Sequence, residues 1–413
     1  MNVRLRIDSL GGHGDGVART ERGQVFVPFT LPGEVVNAAV ERDRGTLMAV
    51  VEPSPLRVEP PCRHFGTCGG CSLQHMDDAA YRAFKAERVA SALKRERIDV
   101  ALEPLVACAP DSRRRVVLSG RKTAGGMLLG YHRMQSAEIV DIEECRIAVP
   151  AIVSALPMLR DLAAVVCQNT KPFHVTVTAT ETGHDVAFAV VGDVPDAARR
   201  AAGDMAIRQR LARLSIEGDI MVEHHRPVIR YGSVDVSPPP GSFLQAVASA
   251  EDAMAGLVMA HLAKAKRVAD LFCGSGAFAL RLARGSEVHA VEAEAAPLAA
   301  LDRGFRFSTG LKRVTTEKRD LFRRPLTFKD LDAFDGVVFD PPRAGAEDQS
   351  RQIARSNVQK VAAVSCNPAT LARDLRILID GGYRLVSVTP VDQFLWSPHV
   401  EAVALLEKPR RRR

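Results

Sequence analysis

Short apolar runs alternate with helical patterns through the last third of the chain, and this alternation predicts its fold. The strands are predicted at residues 268–273, 287–292, 313–318, 335–339 and 360–365, and the helices at 277–284, 295–308 and 369–379. Apolar strands separated by helices are typical of a doubly wound α/β sheet in which most strands are parallel. Because no helical pattern lies between the last two strands, at 383–391 and 400–407, the final strand is predicted to run antiparallel.

The first 55 residues show a different pattern, in which short strands are separated by glycine and proline turns. These strands are predicted at 3–7, 24–29, 34–40 and 46–51. Short strands spaced in this way predict a small all-β, OB-like barrel, and such barrels often bind oligonucleotides.

The segment between these two regions mixes strand and helix patterns. A proline-rich stretch at 53–61 indicates a rigid linker, a helix is predicted at 81–97, and residues 113–232 predict a middle α+β region. A second proline-rich stretch, 238–241, marks a boundary. We therefore predict three domains, at residues 1–55, 56–240 and 241–413.

The composition of the chain predicts the kind of partner it binds and the compartment in which it works. The 413 residues are 46% hydrophobic and 25% charged, which is ordinary for a globular protein, and the formal net charge is +7. Basic clusters at 113–115, 121–122 and 408–413 favour an anionic partner such as RNA, although a solvated basic surface gives the same composition. Since no apolar run is long enough to span a membrane and residues 1–8 do not resemble a signal peptide, we expect a cytoplasmic protein. Nothing indicates an obligate oligomer, so we expect a monomer.

Three of the eight cysteines, Cys62, Cys68 and Cys71, fall within ten residues. In a chain without a secretory signal, such clustering predicts a metal site rather than disulfides. Cys145 is the best candidate for a fourth thiolate ligand, and Cys108 is the second. Four thiolates suit either zinc or a [4Fe–4S] cluster, and the uneven spacing favours iron–sulfur, with structural support for RNA binding as its role.

A glycine-rich loop, 270–276, follows the first strand of the α/β region and predicts a nucleotide-type cofactor. Gly274 and Gly276 allow a sharp turn and a close approach to the cofactor, and Glu292 ends the next strand, where it can accept hydrogen bonds from ribose hydroxyls. Pyrophosphate binding normally requires a third glycine, which this loop lacks. The pattern therefore favours S-adenosylmethionine. Cys273, inside the loop, is predicted to be structural.

Cys366 is a candidate nucleophile, because it lies at a predicted strand end and just before a helix whose amino terminus is expected to lower its pKa. A thiolate beside a methyl donor suits carbon-5 of uracil, which becomes nucleophilic only after a thiolate adds to carbon-6. A base must then remove the carbon-5 proton so that the thiolate leaves. Glu401 is the candidate base, His399 a rival, and Gln245 a candidate donor to the uracil carbonyl.

Taken together, these motifs resemble the RNA 5-methyluridine methyltransferases, in particular the iron–sulfur 23S ribosomal RNA type. The resemblance implies a TRAM domain for the barrel, a Rossmann-like class I methyltransferase domain and an RNA substrate, with 23S ribosomal RNA first and transfer RNA second. It implies that Cys366 is the nucleophile and Glu401 the base, and that Cys62, Cys68, Cys71 and Cys145 hold a [4Fe–4S] cluster. The residues implied to line the S-adenosylmethionine and uracil site are Gln245, Phe272, Glu292, Asp320 and Asp340.

Two other classes of protein fit the sequence less well. N-methyltransferases usually carry an aromatic residue directly after an Asp-Pro-Pro motif. In this chain the motif occupies residues 340–342, and Arg343 follows it. A non-catalytic RNA-binding protein would have no need of both Cys366 and Glu401.

Overall fold

The computed structural model describes residues 2–409, so the last four residues of the predicted basic cluster at 408–413 lie outside the described part of the chain. Its first sheet contains six strands in the order β1-β5-β6-β4-β3-β2. The strands are β1 (Asn2–Arg6), β2 (Ser9–Leu10), β3 (Gly16–Thr20), β4 (Gly23–Val27), β5 (Val35–Glu41) and β6 (Arg44–Glu52). The four predicted strands correspond to β1, β4, β5 and β6. The sequence patterns missed β3 because its first residue, Gly16, suggests a turn, whereas a Cβ there would lie 2.0 Å from Oγ1 of Thr30.

The middle sheet has seven strands in the order β13-β12-β11-β10-β7-β8-β9, covered by helices. The elements are α1 (Asp78–Arg95), β7 (Arg115–Thr123), β8 (Gly126–His132), β9 (Ile139–Asp141), α2 (Pro150–Ser154), α3 (Leu156–Val166), β10 (Phe173–Thr180), β11 (Gly183–Ala189), α4 (Asp196–Arg208), β12 (Arg213–Ile216) and β13 (Asp219–Glu223). Helix α1 packs elsewhere: its buried Val89 and Leu93 belong to the hydrophobic core of the C-terminal sheet.

The C-terminal sheet also has seven strands, in the order β18-β17-β16-β19-β20-β22-β21. The elements of this part are β14 (Ile229–Tyr231), β15 (Val234–Val236), α5 (Ala248–Leu262), β16 (Arg267–Leu271), α6 (Ala279–Leu282), β17 (Glu287–Glu292), α7 (Ala295–Arg306), β18 (Val314–Lys318), α8 (Phe328–Leu331), β19 (Gly336–Phe339), α9 (Glu347–Arg355), β20 (Lys360–Ser365), α10 (Pro368–Asp380), β21 (Arg384–Val391) and β22 (Glu401–Glu407). All the predicted strands of this region are present. β22 runs antiparallel to both of its neighbours, which confirms that prediction.

The helices of this region were predicted less well than its strands. The structure has α6 over four residues only, where 277–284 was predicted, and it adds α5, α8 and α9. The predicted domain boundaries near residues 55 and 240 fall outside helices and strands and stay predictions. Within residues 2–409, no helix is both long and apolar enough to cross a membrane.

Candidate active site

Polar groups from four strands lie at one edge of the C-terminal sheet. Parallel strands present their carboxyl ends at the same edge, and here Glu292 ends β17, Asp340 follows β19 and Cys366 follows β20. Glu401 reaches this edge from the opposite direction because it is the first residue of the antiparallel β22. The topology therefore brings the predicted nucleophile and the predicted base to one place.

A continuous series of side-chain hydrogen bonds connects the two carboxyl groups of Asp340 and Glu401. Gln393 donates from Nε2 to Oε1 of Glu401 at 2.6 Å and to Oε1 of Gln245 at 2.7 Å. Gln245 donates from its own Nε2 to Oδ2 of Asp340 at 2.9 Å. Gln245, Gln393 and Glu401 are buried, so the bonds hold these groups in fixed positions. The sequence patterns did not identify Gln393, because a single glutamine in a loop carries no periodic signal.

Two buried oxygens of this series, Oε2 of Glu401 and Oε1 of Gln393, have no hydrogen-bond partner among the described residues. Leaving a buried polar atom unpaired costs about 1–3 kcal/mol. These two oxygens are therefore available to accept a hydrogen bond at this edge of the sheet.

The pKa of the Cys366 thiol differs from the value that the sequence predicted. Burial and, after it, the nearby Glu401 and Asp340 carboxylates together raise the pKa of its thiol to about 11, against the opposing charge of Arg343. The prediction of a lowered thiol pKa was therefore wrong, because the sequence shows the helix start but not the facing carboxylates. Burial also raises the pKa of both Glu401 and Asp340, and Asp340 adds to the effect on Glu401.

The basic cluster at 113–115 is directed inward rather than toward a partner. Arg114 donates to the backbone oxygen of Gln245 and, at 2.9 Å, to the carboxylate of Glu251. Arg115 donates to the backbone oxygens of Ser242 at 3.0 Å and of Gly241 at 3.2 Å. These two guanidinium groups therefore hold the loop that carries Gln245.

The glycine loop after β16 has the backbone that the sequence predicted. Gly274 and Gly276 have positive φ angles of 53° and 98°, and Phe272 has a φ of 61°, which is uncommon outside glycine. A Cβ at Gly276 would lie 2.8 Å from Cγ of Leu301, so this glycine allows α7 to pack closely. At Gly274, by contrast, no described atom lies within 4 Å of a Cβ position, which leaves space beside the loop.

Glu292 is more heavily engaged by the protein than the sequence predicted. Its Oε2 accepts from the backbone N–H of Gly274 at 3.0 Å, and its Oε1 accepts from Ala293 at 2.6 Å and Glu294 at 3.1 Å. A carboxylate offers about four acceptor positions. Three are used here, so Glu292 fixes the glycine loop and has about one acceptor position left.

An aromatic pair borders the loop on the side of β18. The rings of Phe272 and Phe322 lie 5.5 Å apart, and Phe322 is 49% exposed. Asp320 accepts from the backbone N–H of Phe322 at 3.0 Å, so it shapes this segment. Phe322 was not identified from the sequence, where it follows a strand without a recognisable motif.

The four predicted cluster ligands line one small cavity, together with Tyr131, Gln74 and other residues. The four are Cys62, Cys68, Cys71 and Cys145. Burial raises the pKa of Cys62, Cys68 and Cys71, and Cys145 raises each of these values further, as expected for thiols that face one another. Among residues 2–409, no group of three or more metal-binding side chains is arranged to hold a single metal ion.

The two second-choice residues lie elsewhere. Cys108 is buried, and the charged groups that act on the pKa of its thiol are Asp392 and Lys85 rather than the other cysteines. It is therefore not part of that cavity. His399 lies beside the site, but burial lowers the pKa of its imidazole to about 4, and it is not part of the series that ends at Glu401.

Comparison with known proteins agrees with this geometry. Residues 305–409 match the tRNA (uracil-5-)-methyltransferase family, and residues 2–47 match the TRAM domain. An uncharacterized RNA methyltransferase of Mesorhizobium japonicum is 62% identical over 100% of both chains. The 23S rRNA (uracil(1939)-C(5))-methyltransferase RlmD of Pectobacterium atrosepticum is 31% identical over 98% of this chain and 93% of that protein.

The fold is also that of a solved structure. The Pyrococcus abyssi tRNA (uracil-54, C5)-methyltransferase, crystallised with S-adenosyl-L-homocysteine, superposes with a TM-score of 0.77 over 98% of this chain and 99% of that one, at 24% identity. Fold and site thus define an S-adenosylmethionine-dependent methyltransferase. The chain belongs to the RNA (uracil-5-)-methyltransferase family, which confirms the predicted reaction class.

Proposed function

We propose that this enzyme methylates carbon-5 of a uridine in 23S ribosomal RNA through a covalent adduct between Cys366 and carbon-6 of the base. The observation that carries this proposal is the strand-end edge where Cys366, Asp340 and Glu401 meet, with the two carboxyl groups connected through Gln245 and Gln393. S-adenosylmethionine, when bound, supplies the methyl group.

In this scheme each group of the protein has one task. The Cys366 thiolate adds to carbon-6 and leaves again when the carbon-5 proton has been removed. Glu401 takes that proton on Oε2, which has no partner among the described residues. Gln245 uses one amide hydrogen for Asp340 and keeps the other for a uracil carbonyl.

The cofactor residues are proposed from their place around the glycine loop. Gly274 leaves open space, Glu292 keeps about one acceptor position, and Asp340 lies beside Gln245. Phe272 and Asp320 border the loop on the side of β18 and are proposed to contact the adenosine part.

The barrel reaches the active-site edge, which favours a large RNA substrate. One cleft is lined by His13 and Arg44 of the barrel and by the 397–399 segment next to Glu401. A second cleft is lined by His13, Arg88 and Arg95 beside the start of α10, next to Cys366. Basic side chains around such clefts can bind the phosphates that flank an extruded base.

The choice of RNA can be tested in cells. We expect mass spectrometry of nucleosides to show that loss of this protein removes 5-methyluridine from 23S ribosomal RNA and leaves transfer RNA unchanged. The 31% identity to RlmD favours ribosomal RNA, whereas the shared fold with a transfer RNA enzyme keeps transfer RNA as the alternative. Loss from transfer RNA alone would keep the chemistry and overturn the substrate. A change in neither RNA would contradict both.

A [4Fe–4S] cluster held by the cysteine cavity is part of the same proposal. Its four cysteines line one cavity, and four cysteine thiolates are the usual ligands of such a cluster. The cluster would tie the segment around Cys62 and Cys71 to the loop carrying Cys145, and it takes no step in methyl transfer.

Anaerobic purification is expected to yield brown protein with about four irons per chain, because the cavity offers four thiolates. Cys145→Ser is expected to lose most of the iron, whereas Cys167→Ser, in the core of the middle sheet, keeps it. Colourless protein that contains zinc would overturn the cluster assignment.

The raised pKa values predict a pH dependence for adduct formation. Below a pKa of about 11 the Cys366 thiol is mostly protonated, so each step up in pH increases the thiolate fraction, approaching tenfold per unit. We therefore expect the single-turnover rate of adduct formation to rise between about pH 6.5 and 9. A flat or falling profile, at saturating cofactor and RNA, would contradict these assignments.

A further inference from the structure

A buried ion pair outside the reacting groups holds the loop that connects β21 to β22, residues 392–400. Lys85 of α1 is completely buried, and its Nζ donates to Oδ1 of Asp392 at 2.7 Å, to the backbone oxygen of Phe394 at 3.0 Å, and to the backbone oxygen of His399. An ammonium group has three donors, and all three are used by this one loop.

Tyr81, one helical turn before Lys85, contacts the same loop. Its hydroxyl donates to Oδ2 of Asp392 at 2.6 Å and accepts from the backbone N–H of Trp396 at 2.8 Å. The backbone N–H groups of Ser72 and Leu73 also donate to the oxygen of Trp396, at 2.9 and 3.0 Å. The loop is therefore held at several points by the N-terminal half of the chain.

The points that are held lie directly beside the active-site residues. Asp392 precedes Gln393, and His399 lies two residues before Glu401. A buried ion pair is weak evidence for stability, because the desolvation of two charges offsets their attraction. The position of this pair is better explained by its effect on the neighbouring residues Gln393 and Glu401.

We propose that Lys85 is a positioning residue, which fixes the 392–400 loop so that Gln393 and Glu401 meet at hydrogen-bond distance. This inference rests on the proposed role of Glu401 as the base. A carboxylate that is displaced by about 1 Å can lose on the order of 100-fold in rate. Formation of the Cys366 adduct does not use Glu401, so the two steps should respond differently to a change at Lys85.

The test is Lys85→Met in the full-length enzyme, with labelled S-adenosylmethionine and an RNA substrate in single turnover. We expect adduct formation at a rate close to wild type, resolution slowed roughly 10- to 100-fold, and a KM for RNA within about threefold of wild type. The RNA–protein adduct should therefore accumulate on denaturing gels.

The matched control breaks another buried ion pair, in which Arg213 donates to both carboxylate oxygens of Asp185 at 2.9 and 2.6 Å in the middle sheet. Asp185→Asn should lower the melting temperature without changing the partition between adduct and product. A Lys85→Met enzyme that behaves like this control would overturn the proposal.

Two further variants separate the possible failures. If Lys85→Met does not fold, Tyr81→Phe removes only a hydroxyl from the same contact and should slow resolution in the same direction. Glu401→Gln in the same assay reports on the proposed base itself. If Glu401→Gln resolves its adduct normally, the role of Glu401 fails. If it accumulates adduct and Lys85→Met does not, only the role of Lys85 fails.

Discussion

Replacing Cys366 by alanine is expected to abolish both methylation and the covalent RNA–protein adduct. The residue lies at the end of β20 beside Asp340 and Glu401, and the scheme has no second group that could add to carbon-6 of uracil. Loss of a nucleophile removes the step rather than slowing it, so turnover should fall by roughly 10⁴-fold or more. Transfer of labelled methyl groups to RNA measures turnover, and denaturing gels measure the adduct.

Cys167→Ala is the control, because this cysteine is buried in the core of the middle sheet, away from the active-site edge. It should keep the adduct and most of the activity. Binding of S-adenosylmethionine to the Cys366→Ala enzyme should match wild type, which shows that the cofactor site is intact. A Cys366→Ala enzyme that retained full methylation would exclude the covalent mechanism.

The sequence predicted the C-terminal sheet well because its strands are only four to eight residues long and most of them are apolar runs. It predicted the helices less well. Helix α9 is mostly polar, and two of its buried residues are Gln349 and Ser350 beside Ile353, so apolar residues alone do not reveal it. In the barrel, Gly16 is needed for close packing against Thr30 within a strand, although glycine usually indicates a turn.

The position of Cys366 and Asp340 in the fold was predictable from the sequence, because each directly follows an apolar strand. Lys85 and Asp392 were not, since they are 307 residues apart and only the folded chain brings them together. Charge alone also misled: nothing in an arginine run shows that Arg114 and Arg115 turn inward to hold a loop. The sequence gives the type of each side chain but not the direction in which the folded chain points it.

Glu401→Gln is expected to convert the enzyme into one that traps its RNA. Addition of Cys366 to the base does not need the carboxylate, whereas release does, so the adduct should persist while turnover falls about 10²- to 10⁴-fold. Glutamine keeps the size of the side chain and can still bond to Gln393. The stability of the fold should not fall. Burial raises the pKa of Glu401 above the unfolded value of about 4.5, so at any pH above that value the charged carboxylate costs folding free energy. A neutral amide removes that cost, so the melting temperature at pH 8 should equal or exceed that of wild type.

Two substitutions make this test specific to Glu401. Glu407→Gln makes the same change at the other end of β22, where the carboxylate pairs with Lys360 at 3.2 Å, and it should resolve its adduct normally. His399→Ala removes the rival base. Accumulation of adduct in the His399 variant, with normal resolution in Glu401→Gln, would assign proton removal to the histidine. Accumulation in Glu401→Gln alone would support the carboxylate, because its buried, unpartnered Oε2 is the atom that the scheme requires to accept the proton.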